Sequence, residues 1–183
     1  FSYETLGSDL SSLHLLQLLV RVGNMRRVLE VGTYIGVSTL FLAEAVGPEG
    51  RVVTIEIGDE FAAIARKNFA RNDMESRIEL LQEDVFAAFP RLTKAGESFD
   101  MIFLDADKGR YGDLLHPLLA LLRPGGLFVV DDIFLNGDTL NDPPTTDEGL
   151  GVRNLLDRVA ALPDYARVIL PYGNGQLLLL KPK

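Results

Sequence analysis

The stretch FDMIFLDADKGRYGDLLHPLLALLRPGGLFVVDD, from Phe99 to Asp132, decides the fold. Two short apolar runs, FDMIFLD and GGLFVVD, each close on aspartate, and between them lie an amphipathic segment and a Pro-Gly-Gly turn. That order reads as strand, helix, strand. Short apolar runs joined by a helical crossover become neighbouring parallel strands of a covered sheet, with their C-terminal ends on one edge. Asp105, Asp131 and Asp132 are then expected around one point on the edge where open α/β sheets take ligands. Carboxylates that close repel unless a cation or shared protons hold them. A hard divalent ion such as magnesium suits an all-oxygen donor set. Each aspartate taken singly is equally an N-cap or a turn former, and it is the group of three beside Lys108 that makes a metal-site candidate.

Upstream, Asp9 to Val22 (DLSSLHLLQLLVRV) carries a broad leucine stripe at helical spacing behind a Ser or Asp cap, with His14 as a structural residue on it. The segment RRVLEVGTYIGVSTLFLAEAVG, Arg26 to Gly47, is a buried strand, a tight turn through Gly32 and Gly36, and a helix from near Val37 to near Gly47. Glycines let the backbone approach a ligand, and the helix N-terminus offers N–H groups. The G-x-x-x-G spacing is not the G-x-G-x-x-G of pyrophosphate-binding dinucleotide turns, so a nucleoside without pyrophosphate is the better match. Glu30, just ahead of the turn, would repel phosphate and suits a ligand with a positive amino group.

RVVTIEI, from Arg51, is a second strand ending in Glu56, where a carboxylate can accept from both hydroxyls of a ribose diol. A helix is expected over 60–71 and a third strand over 77–82, followed by Glu83 and Asp84, where an acid could accept from an adenine amino group; Glu56 and Asp84 are equally caps when taken alone. The polar segment NGDTLNDPPTTDEG, 136–149, reads as a surface loop of the kind that forms lids or substrate walls, and 152–162 as a helix ended by Pro163. YARVILPY and GQLLLLKPK flank a Gly-Asn-Gly turn, the mark of a β-hairpin. The expectation is one α/β domain over 1–183, closed by an antiparallel hairpin.

With 47% hydrophobic and 24% charged residues in 183, the chain is neither disordered nor fibrous. A net charge of −8 argues against a protein that grips nucleic-acid phosphates over a wide surface. The lack of cysteine removes disulfides, thiolate metal sites and a cysteine nucleophile. No apolar run reaches membrane-spanning length and no signal peptide opens the chain, so a cytoplasmic protein without membrane contact is expected.

VLEVGTYIGVSTLFLA, VVTIEI, FDMIFLDADKGRY and LRPGGLFVVDD, in this order, resemble the cation-dependent O-methyltransferases that include catechol and caffeoyl-CoA O-methyltransferases and bacterial small-molecule enzymes. The most specific element is LDADK followed, after PGG, by an acidic pair. The resemblance covers the chain from about Ser8 onward. It implies a class I, Rossmann-like fold with a seven-stranded, mostly parallel sheet, helices on both faces, and S-adenosylmethionine as cofactor. By position, Gly32 would face the methionine part; Glu30 and Ser38 would hold its amino and carboxylate groups, with Tyr34 beside them and Asp105 also in contact. Glu56 would bind the ribose, Ile57 would lie on the adenine, and Asp84 and Val85 would line its pocket. Asp105, Asp131 and Asp132 would hold magnesium, or manganese or calcium. Lys108 would be the general base, assisted if burial and a nearby cation depress its pKa. Ser8 falls where some relatives place a threonine on the cofactor carboxylate.

There are two departures from the pattern. The family's metal pair is typically Asp-Asn, where this chain has Asp131-Asp132. Relatives also carry N-terminal cover helices, whereas little precedes Asp9 here. The activity implied is methyl transfer to a hydroxyl of a small catechol-like phenol by a homodimer. Alternatives are a tRNA hydroxyuridine O-methyltransferase of the same family, a nicotinamide-dependent oxidoreductase, which the missing G-x-G-x-x-G disfavours, and a non-catalytic cofactor-binding domain.

Overall fold

The computed structural model describes residues 9–171 and 173–183. Seven strands, β1 (Arg27–Val31), β2 (Arg51–Glu56), β3 (Ile78–Gln82), β4 (Phe99–Leu104), β5 (Leu122–Val130), β6 (Ala166–Leu170) and β7 (Gln176–Leu180), form one mixed sheet in the order β3-β2-β1-β4-β5-β7-β6, and the chain divides into two compact units at Glu97/Ser98.

The first unit begins with α1 (Leu10–Val22), whose N-cap Asp9 accepts from the backbone N–H groups of Ser11 and Ser12. Its buried stripe, Leu13, Leu16 and Val20, packs on α2 (Val37–Val46). Strands β1 (Arg27–Val31), β2 (Arg51–Glu56) and β3 (Ile78–Gln82) pair in parallel. In β1 and β2 consecutive interior residues are all buried, which requires cover on both faces of the sheet. Helix α3 (Asp59–Arg71) matches its expected span, and α4 (Val85–Lys94), capped by Asp84, is a helix that the sequence reading did not include. Pro90 lies inside it, the residue that argues against a helix when only the sequence is read.

The second unit is built on β4 (Phe99–Leu104), in which Phe99, Met101, Ile102, Phe103 and Leu104 are fully buried. Each such side chain contributes about 1.5–3 kcal/mol of hydrophobic stabilisation. A 3-10 turn (Lys108–Arg110) leads into α5 (Tyr111–Leu121) and then β5 (Leu122–Val130), parallel to β4. Pro124, Gly125 and Gly126 do not make a separate turn. They lie within β5 at a register shift, because Gly125 donates to the Lys181 carbonyl and Lys181 donates back to Gly126. The terminal hairpin is as expected: β6 (Ala166–Leu170) pairs antiparallel with β7 (Gln176–Leu180), which pairs antiparallel with β5.

Helix α6 runs Asp147–Ala160 and so starts five residues before the expected 152. Thr146 caps it by accepting from the Gly149 N–H at 2.9 Å, and the last residues of the expected loop become its first turn. Among the described residues no helix is long and apolar enough to cross a membrane. Ser8 lies outside the described residues.

Candidate active site

In the first unit the end of β1 turns sharply. Gly32 (φ +100°) and Gly36 (φ +84°) occupy backbone conformations that side-chain-bearing residues rarely adopt. At Gly36 a Cβ would also come within 2.5 Å of the Phe69 ring on α3. The Gly32 N–H donates to the Ile55 carbonyl at 3.0 Å and the Gly36 N–H to Thr33 at 2.8 Å, closing the turn. Helix α2 begins there with no side chain capping it. Ser38 is half-buried in its first turn.

Glu30 is fully buried, and its Oε2 accepts from Thr54 Oγ1 at 2.6 Å and from Thr39 Oγ1. Glu56, at the end of β2, accepts from the Tyr34 N–H at 2.7 Å through Oε2 and from the Gly58 N–H at 2.8 Å through Oε1. It therefore braces Tyr34, a non-glycine residue at φ +49°. The Tyr34 ring stacks at a tilt on Phe61, centroids 4.6 Å apart, and Ile57 is 66% exposed, an apolar side chain open at a strand end. Asp84 caps α4, its Oδ1 accepting from the Phe86 N–H at 2.8 Å, and Val85 is buried beside it.

In the second unit, Lys108 Nζ lies 3.1 Å from Asp105 Oδ1 and 3.2 Å from Asp132 Oδ2. The two carboxylates thus converge on one positive charge. Asp131 is buried and accepts instead from Gln176 Nε2 at 3.1 Å. Among the described residues no group of three acidic or imidazole side chains is gathered closely enough to hold an ion as it stands. Asp132 sits at φ +59°, a conformation that Asp and Asn tolerate better than other side chains. Its neighbours fix it: Asp131 N–H donates to the Leu104 carbonyl at 3.1 Å, and Ile133 N–H to Gly175 at 3.1 Å. Asp107 is a cap, accepting from the Gly109 N–H at 3.1 Å.

Burial lowers the Lys108 pKa, but the Asp105 and Asp132 carboxylates outweigh it, and the net displacement is upward. The ammonium is stabilised by two anions nearby.

Two residues that the sequence reading did not assign complete this region. Tyr111 is fully buried; its hydroxyl accepts from the Ala106 N–H at 3.2 Å and lies 3.4 Å from the Leu104 carbonyl, so it splints the backbone on either side of Asp105. Burial, with Asp105 next in weight, pushes its phenol far above the ordinary range, and it stays protonated. Gln176, the first residue of β7, is the other; a lone amide opening an otherwise leucine strand is the signal that could have found it. Behind Lys108 the backbone of α6 comes very close, and a Cβ on Gly151 would lie 2.2 Å from the Lys108 carbonyl oxygen.

The family description O-methyltransferase matches residues 5–182. The chain belongs to this family. It is 36% identical over 139 residues to a catechol O-methyltransferase of Niastella koreensis, covering 75% of this chain and 63% of that relative, so it spans less than two thirds of the relative's length. Among solved structures, an O-methyltransferase from Bacillus cereus in complex with SAH is 29% identical with a TM-score of 0.91, over 97% of this chain and 83% of that one. The O-methyltransferase TomG from Streptomyces achromogenes, involved in tomaymycin synthesis and solved in complex with SAM, is 31% identical with a TM-score of 0.92, over 98% and 83% of the two chains. The seven-stranded sheet with its antiparallel terminal hairpin is the fold these O-methyltransferases share with this chain.

Proposed function

We propose that this protein transfers the methyl group of S-adenosylmethionine to a hydroxyl of a small catechol-like phenol with the help of a divalent cation. The observation that carries this reading is the convergence of Asp105 and Asp132 on a single cationic centre at the ends of β4 and β5. The catechol O-methyltransferase among its relatives and the SAH and SAM complexes among its structural neighbours support the donor and the acceptor class.

The donor set fits a hard ion such as magnesium, since it offers only carboxylate oxygens and already surrounds a positive charge. Asp105 and Asp132 would hold it, with Asp131 as the third carboxylate. When bound there, such an ion would supply charge that stabilises the oxyanion of the acceptor hydroxyl.

The protein's own part is to bind, align and handle one proton, because the sulfonium already carries its leaving group. The uncapped first turn of α2, with Ser38, receives the donor's carboxylate. Glu30 takes its amino group, beside Gly32 and Tyr34. Glu56 accepts from the ribose hydroxyls through the lone pairs that Tyr34 and Gly58 leave. Ile57 covers the adenine, with Asp84 and Val85 along its edge. Lys108 is the group placed to receive the hydroxyl proton. It serves as base only in its neutral form, which a cation held by Asp105 and Asp132 would favour.

The reading is tested by titrating S-adenosylmethionine and then catechol calorimetrically, with magnesium and with chelator, on the wild type and on Asp105→Ala. Donor binding in all samples, with catechol binding only in wild type plus magnesium, is the expected result. Catechol binding indifferent to the chelator would remove the cation from the mechanism.

A further inference from the structure

Three threonine hydroxyls gather at Glu30 in one hydrogen-bonded chain. Glu30 and Thr54 are register partners on β1 and β2, so their side chains share a face of the sheet. Thr54 Oγ1 donates to Glu30 Oε2 at 2.6 Å, and Thr39, on the inner face of α2, donates to the same oxygen. Thr33, in the turn after Gly32, has its Oγ1 2.5 Å from Thr54 Oγ1. A hydroxyl has one hydrogen to give. Since that of Thr54 goes to Glu30, Thr33 must be the donor to Thr54. Two hydroxyl hydrogens therefore go to one carboxylate oxygen and the third to the hydroxyl of Thr54 behind it, and all four residues are buried. Donors directed at an acid favour its anion over its neutral form, and a chain of them polarises each member in turn.

A face between two strands and a helix is more simply filled with Val and Leu, since burying a carboxylate is costly even when it is well bonded. Three threonines on three different segments, all serving one acid, therefore point to a use for its charge. We propose that Thr33, Thr39 and Thr54 are positioning residues that hold Glu30 as the anionic anchor for the amino group of the methyl donor. The inference rests on the donor reading above and adds to it how the anchor's charge and orientation are maintained. Thr54 is the central relay: its loss removes one bond to Glu30 and isolates Thr33.

The test compares two ligands, S-adenosylhomocysteine and its deamino analogue, which keeps the nucleoside, the thioether and the carboxylate but lacks the amine. Thr54→Val, close in shape to threonine, should weaken S-adenosylhomocysteine about tenfold, as expected for one charge-assisted hydrogen bond. Binding of the deamino analogue should be unchanged, and Thr54→Ser should restore the wild-type preference. Thr33→Val should show the same split at smaller amplitude, and because it sits in the turn it provides the readout if Thr54→Val does not fold. Equal weakening of both ligands, or of neither, overturns the inference and leaves the donor reading standing. Failure of the wild type to bind either ligand overturns both.

Discussion

Both units place carboxylates at or near strand ends, and Glu30 and Glu56 are satisfied by opposite means from Asp105 and Asp132. In the first unit Glu30 meets hydroxyls and Glu56 meets two backbone N–H groups, all neutral donors. In the second, Asp105 and Asp132 share the ammonium of Lys108. Neutral donors orient an anion and leave its charge in place for a cationic ligand. An ammonium answers part of the charge, so a cation arriving at Asp105 and Asp132 competes with a resident one. The same functional group, a carboxylate, thus stands in two different electrostatic settings.

The largest effect that would break this contrast comes from Lys108→Met, which leaves Asp105 and Asp132 facing each other without their shared cation. Turnover of a catechol should fall by about 10²-fold or more, the range of a lost acid–base group, with the fold retained by circular dichroism. Retained turnover would make Lys108 a structural counter-charge only. Glu56→Gln sharpens the other side. The amide keeps the shape, but its NH₂ group donates and so faces one of the two backbone N–H groups with the wrong polarity. Donor affinity should drop about tenfold and the unliganded protein should lose about 1 kcal/mol or more in urea unfolding. An unchanged affinity would remove Glu56 from the ribose.

The smallest effect tests what neutral-donor satisfaction contributes in the second unit, where Asp107 and Asp131 also have it. Asp138, in the second, accepts from the N–H and hydroxyl of both Thr145 and Thr146. Those bonds, the Thr145 hydroxyl foremost, hold its carboxyl well below the ordinary carboxylate range. A carboxylate depressed in the folded state stabilises it at pH above its unfolded value, about 3.9, and that contribution is lost as pH falls through the folded value. The urea midpoint of the wild type should therefore exceed that of Asp138→Asn near neutrality and converge with it in strong acid. A gap that persists unchanged in acid would assign the effect to shape rather than charge.

Much of this was legible because apolar runs are unambiguous when bounded by glycine or aspartate. VLEV, VVTIE, FDMIFL and QLLLL all became strands, and the turn at Gly32 and Gly36 fell where its spacing placed it. Misreadings arose where a local signal had a tertiary cause. DEGLG looks like loop because of its glycines, yet Gly149 and Gly151 are helical and tightly packed, and the cap Thr146 with Asp147 and Glu148 behind it was the readable start signal. Pro90 hid α4 in the same way. A sequence also does not reveal that the Lys108 ammonium is held between two carboxylates within 3.2 Å of it. Tyr111 stood in the quoted motif, but only its burial shows its hydroxyl reaching back to the strand end.

The close approach of Gly151 to the carbonyl of Lys108 limits how this scaffold can be diversified. Each residue inserted after Thr146 would turn the remainder of α6 by about 100°, taking Gly151 off that contact and pressing a side chain against the backbone of Lys108. Length changes ahead of Thr146 leave that phase intact. A library aimed at new acceptors should therefore vary the segment from 136 up to the cap and keep the helix behind it in register.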